Sequence, residues 1–73
     1  MKKTYKIEVD CANCANKMED AIRKIKGIKD VSINFLTMKL KVEYEDNVDI
    51  EKINKEIFSI CKKVEPDCEL DLN

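Results

Sequence analysis

Cys11-Ala12-Asn13-Cys14 places two thiols three positions apart where an alternating apolar pattern gives way to a helical one. Thiols at that spacing converge on one ion when the first sits on the loop and the second joins the opening turn of a helix. The same turn favours their ionised form, because unsatisfied backbone N–H groups and the positive end of the helix dipole lower a thiol pKa. The thiolate is the metal-ligating species, so Cys11 and Cys14 are the expected ligands of a soft metal ion. Two other chemistries fit the same residues: a reversible disulfide pair, and two inert thiols packed as small hydrophobes.

The elements that must position this pair are legible on either side of it. Tyr5, Ile7 and Val9 alternate with Lys6 and Glu8, which predicts a strand with one buried face leading into the cysteine loop. From Cys14 onward Met18, Ala21, Ile22 and Ile25 form a helical stripe, with Gly27 as its expected C-terminal stop. Val31, Ile33 and Phe35 alternate, as do Leu40, Val42 and Tyr44, predicting two strands joined near Leu36-Thr37-Met38. Asp49 is the expected N-cap of a second helix whose stripe is Ile50, Ile53, Ile57 and Ile60 and which ends near Cys61 to Lys63. Val64, Cys68, Leu70 and Leu72 share one parity, and Pro66 within that run points to an edge strand or an irregular start. The order is βαββαβ. With helices after strands one and three it predicts an α+β ferredoxin-like fold, a four-stranded antiparallel sheet with both helices on one face, over a single domain of residues 1–73.

Composition narrows the function. Fourteen Lys and Arg against fifteen Asp and Glu leave a net charge of −1, with no surplus to recruit nucleic acid or an anionic membrane non-specifically. No His is present, so imidazole bases and imidazole ligands are both excluded. Met1-Lys2-Lys3 imitates the start of a signal peptide, but Lys6, Glu8 and Asp10 interrupt the apolar run that must follow. The chain is expected to be cytoplasmic, monomeric and without membrane insertion, and in such a reducing compartment free or metal-bound thiols are favoured over disulfides. No phosphate-cradling glycine loop, acid pair or nucleophile–His arrangement is visible, so no enzyme activity is expected of the chain itself.

The strand ending at Cys-x-x-Cys, the helix closing on Gly27-Ile28, the Val31 and Ile33 alternation and the second helix before a last strand together resemble the heavy-metal-associated domain over nearly the whole chain. That resemblance implies a soft ion held between Cys11 and Cys14. It also implies a place as a small copper chaperone or, as expected here, as a cytosolic N-terminal domain of a metal-exporting P-type ATPase. The partners would then be the transport domains of that pump or a related metal-binding domain. Copper members usually carry Met and Thr where this chain has Val9 and Asp10. An Asp before the first cysteine resembles the zinc, cadmium and lead branch. Two thiolates suit linear Cu(I), whereas a divalent ion wants more charge and further donors. Asp10 is therefore the expected third ligand for Zn(II), Cd(II) or Pb(II), with Cu(I) transfer as the alternative and a cap for the first helix as the alternative role of Asp10. The family residue beside the metal loop aligns with Lys62, and Cys61, where relatives commonly have Gly, becomes a further candidate ligand.

The remaining candidates favour packing. Cys68 shares parity with Leu70 and Leu72 and is expected in the core, Met18 lies on the apolar stripe, and Lys17, Lys24 and Lys26 read as a solvated helix face. A closed four-cysteine zinc site lacks a second Cys-x-x-Cys. A thioredoxin-like redox site would carry a flanking Trp or Pro that this motif lacks. RNA-recognition sheets share the βαββαβ order but need aromatics on the open face, for which only Tyr5 and Tyr44 are available.

Overall fold

In the computed structural model, which describes residues 1–72, the chain runs β1 (Lys2–Glu8), α1 (Ala12–Arg23), β2 (Ile28–Asn34), β3 (Lys39–Tyr44), α2 (Ile50–Val64) and β4 (Glu69–Asp71). Asn73, the last residue of the expected domain, lies outside the described residues. The four strands form one antiparallel sheet in the order β2-β3-β1-β4, the ferredoxin-like arrangement. Tyr5 lies opposite Leu40, Ile7 opposite Leu70 and Val31 opposite Val42. Each pair joins two inward side chains, because successive residues of a strand point to opposite faces.

The helices cover that inward face. Ala15, Met18 and Ile22 of α1 and Ile53, Ile57 and Cys61 of α2 are buried with Tyr5, Ile7, Val9, Val31, Leu40, Val42, Tyr44 and Cys68 in one core. Tyr5 and Tyr44 thus point toward the helices, so the other face of the sheet carries no aromatic among the described residues. Their hydroxyls lie 3.0 Å apart. Tyr44 also donates to Asn54 Oδ1 at 2.5 Å, and Asn54 Nδ2 donates to the Tyr5 hydroxyl at 3.4 Å. This closed triad lets two phenols enter the core with their polar ends satisfied.

Local chemistry explains where the elements stop. The Asp49 side chain accepts from Lys52 N–H at 3.2 Å and caps α2 as expected. Helix α1, however, ends at Arg23 with Lys24 as its C-cap, so Ile25 and Gly27 lie beyond it. Gly27 serves the turn into β2 instead: its φ is +101°, and a Cβ there would sit 2.8 Å from Ile53 Cδ1. The β2–β3 turn has no central Gly. Asn34 builds it by accepting from Leu36 and Thr37 N–H at 3.0 and 3.2 Å, and Met38 takes the left-handed conformation at φ 55°. Pro66 precedes β4, which holds the sheet edge with only three residues.

The opposite edge is β2, and α1 covers it. Glu19 accepts from Ile33 N–H at 3.0 Å and Arg23 donates to Val31 O at 2.8 Å, while the two side chains pair with each other at 3.3 Å. These contacts occupy outward backbone groups that an edge strand otherwise offers to another chain.

Candidate metal centre

Three connections meet at one end of the sheet. The strand β1 delivers Val9 into the core and releases the chain at Asp10, an exposed residue in the bend before α1. Beside it lies the β2–β3 turn, where Ile7 N–H donates to Met38 O at 3.1 Å. The α2–β4 connection completes the group, because Glu65, the C-cap of α2, reaches Cys14.

Cys11 is the N-cap of α1. Its backbone is extended, its carbonyl accepts from Ala15 N–H at 3.0 Å, and its Sγ accepts from Cys14 N–H at 3.3 Å. The cap is therefore a sulfur and not the Asp10 carboxylate, which removes the alternative role of Asp10. Asn, Asp, Ser and Thr are the usual caps because their oxygens reach the free N–H groups of the first turn. Here the thiol sits one residue later, where the helix begins, and accepts that bond itself. Both cysteines are partly exposed and free.

Their two thiols differ in acidity. Hydrogen bonds from the Cys14 side chain, the Cys14 backbone and the Asn13 backbone hold the Cys11 thiol below its ordinary value. Cys14 is pushed up to about 11, first because it donates to Cys11, then by burial and by the negative charges of Cys11 and Glu65, with Lys17 opposing. The expectation that the helix start lowers both thiols holds for Cys11 alone. One proton shared toward an acceptor sulfur stabilises the first thiolate and makes the second harder to form. A metal ion bound between them would reverse this by replacing that proton with positive charge on both sulfurs.

Glu65 was not foreseen. Its Oε2 lies 3.8 Å from Cys14 Sγ, while its Oε1 accepts from Asp67 N–H at 3.3 Å, so the turn after α2 directs the carboxylate toward the cysteine loop. Lys62, expected beside the loop, turns the other way. Its Nζ donates to Cys68 O at 2.5 Å and lies 5.6 Å from the centre of the Phe58 ring. Helix α2 runs to Val64, one residue past its expected end, so its C-cap Glu65 and not Lys62 is the residue beside Cys14.

Cys61 and Cys68 are fully buried in the core. Burial above all, followed by the charge and side chain of Cys68, pushes the Cys61 thiol up to about 12, and burial also raises Cys68. Among the described residues no group of three or more Cys, Asp or Glu side chains is drawn together around one point. The structure thus brings Cys14 into contact with Cys11 on one hand and Glu65 on the other, leaves Asp10 exposed next to Cys11 in the chain and places Cys61 among core residues. No helix among the described residues is long and apolar enough to cross a membrane.

A family model described as the heavy-metal-associated domain matches residues 4–63. The chain is 40% identical over 40 residues to a zinc/cadmium/lead-transporting P-type ATPase of Escherichia coli (strain K12), a stretch covering 55% of this chain and 6% of that protein. It is 33% identical over 64 residues to a cadmium, zinc and cobalt-transporting ATPase of Bacillus subtilis (strain 168), covering 82% of this chain and 9% of that one. The chain thus spans less than a tenth of the length of either pump. Among solved structures it resembles the N-terminal domain of a potential copper-translocating P-type ATPase from Bacillus subtilis in the Cu(I)-loaded state. That match has a TM-score of 0.74 and 26% identity over 97% of this chain and 84% of the other. A CsoZ metallochaperone shares the fold, with a TM-score of 0.73 and 18% identity over 99% of this chain and 97% of that one.

Proposed function

We propose that this chain, which belongs to the heavy-metal-associated domain family, reversibly binds a soft divalent ion, Zn(II), Cd(II) or Pb(II), between Cys11 and Cys14. The observation that carries this choice of ion is the Glu65 carboxylate 3.8 Å from Cys14 Sγ, with the exposed Asp10 directly before Cys11 in the chain. Two thiolates around Cu(I) already leave one net negative charge, and each nearby carboxylate adds another in a partly desolvated loop. Around a divalent ion, two thiolates and one carboxylate total one negative charge and a second carboxylate makes two, one fewer than with Cu(I), and the oxygens fill coordination positions that linear Cu(I) does not need. Asp10 is the third donor in this reading, and Glu65 supplies a further oxygen from α2.

The relatives support the same choice of ion, since the two pumps named above are described as zinc, cadmium, lead or cobalt transporters. The domain would sit on the cytosolic side of such a pump and deliver ions to its transport domains or regulate them, with ATP hydrolysis residing in other domains. A Cu(I) carrier is the second reading, favoured by the likeness to the Cu(I)-loaded domain.

Competition titration of reduced protein with Zn(II) and Cd(II), against chelators of known affinity, tests the site. Stoichiometric binding that disappears in the Cys11→Ala/Cys14→Ala variant, with far-UV circular dichroism unchanged, is the expected result. Tight divalent binding retained by that variant contradicts it.

A further inference from the structure

The other two cysteines form a second thiol pair inside the fold. Cys61, in the last turns of α2, and Cys68, just before β4, are both free, fully buried and in side-chain contact with each other. The intervening turn draws them together: Glu65 N–H donates to Cys61 O at 2.9 Å, and Cys68 N–H donates to Glu65 O at 3.0 Å. Across that turn Lys62 Nζ donates to Cys68 O at 2.5 Å, and its positive charge favours ionisation of both thiols. Buried thiols are ordinarily inert packing. A pair in mutual contact beside a fixed positive charge has the parts of a ligand set.

We propose that Cys61 and Cys68 are a second soft-metal site, which takes one Cu(I) in linear two-thiolate coordination with Lys62 as its counter-charge. Two thiolates around a monovalent ion leave one negative charge, which the Lys62 ammonium cancels. A divalent ion would be neutral with the same thiolates, would leave Lys62 uncompensated, and would find no third donor, since no larger donor cluster exists among the described residues. On binding, each thiol gives its proton to solvent, two S–Cu bonds form and no electron moves. Entry needs only local opening, because β4 secures this edge through three residues paired with Lys6, Ile7 and Glu8. The site is independent of the ion held by Cys11 and Cys14, yet Glu65 belongs to both regions through its backbone and its carboxylate.

The test uses the Cys11→Ser/Cys14→Ser variant, whose core is untouched, titrated anaerobically with Cu(I) against a chromophoric chelator. Retention of one Cu(I) per monomer, with X-ray absorption showing two sulfur neighbours and with iodoacetamide labelling of Cys61 and Cys68 slowed together, is expected. Adding Cys61→Ala or Cys68→Ala should abolish that equivalent. Should either added change unfold the protein, Lys62→Met in the same background decides, with an expected loss of roughly tenfold or more in Cu(I) affinity. Absence of stoichiometric Cu(I), one ion shared by two molecules, or retention unaffected by Lys62→Met overturns the proposal.

Discussion

Glu65 and Cys14, fifty-one positions apart in the chain, meet with a carboxylate oxygen 3.8 Å from the thiol sulfur. The contact joins the C-terminal cap of α2 to the first turn of α1 and places a hard anionic donor beside a soft one. Replacing Glu65 with Gln should weaken Zn(II) and Cd(II) binding by about tenfold, the scale of one lost outer or weak ligand interaction at a metal site. Chelator competition at fixed pH checks this.

The hydrogen bond between Cys11 and Cys14 governs thiol reactivity in the metal-free protein, and Glu65 adds to it. Cys11 is held low by the hydrogen bonds it accepts, whereas Cys14 is pushed up to about 11. Between pH 7 and 9 iodoacetamide should therefore label Cys11 first, and Cys14 should follow only as the pH approaches 11. Glu65→Gln removes a negative charge that opposes ionisation of Cys14, so its labelling should begin at lower pH. Peptide mass spectrometry across a pH series reads both outcomes.

Much of this architecture is legible in the sequence, and the gaps have physical causes. The period-two runs through Ile7, Val31 and Val42 and the stripe of Ile53 and Ile57 report burial directly, because one face of each element is apolar. Cys11 and Cys14 stand out through spacing alone. Glu65 does not, since its reach depends on α2 continuing to Val64, and a shift of one helical residue turns a side chain by about 100°. Gly27 is recognisable as a breaker but not as the residue pressed beneath Ile53, which only the packing of the α1–β2 turn determines. Residue type offers Asp10 as an alternative cap for α1, and the observed cap is the sulfur one position later.

Gly27→Ala should destabilise the protein by more than about 1 kcal/mol, because alanine both disfavours positive φ and brings a methyl group against Ile53. Urea denaturation followed by circular dichroism gives the value. Metal affinity at the opposite end of α1 should stay within error once the folded fraction is accounted for.

Tyr44→Phe should cost about 1–2 kcal/mol, since it removes the donor to Asn54 and one partner of the Tyr5 hydroxyl in a partly buried triad. Tyr5→Phe should cost less, because the Tyr44–Asn54 bond survives it. Equal losses in the two variants would show that the triad does not act as the geometry indicates.

Selectivity for a divalent ion is the central claim, and Asp10→Thr tests it most directly. The substitution places the copper-type residue before Cys11 and removes one negative charge from the exposed bend while leaving the observed α1 cap in place. Zn(II), Cd(II) and first-equivalent Cu(I) affinities should be measured at one pH, with thiols reduced, in the wild type and in the variant. The account predicts a fall of about tenfold in the ratio of divalent to Cu(I) affinity, from loss of a charged oxygen donor. A ratio that stays the same or rises contradicts it.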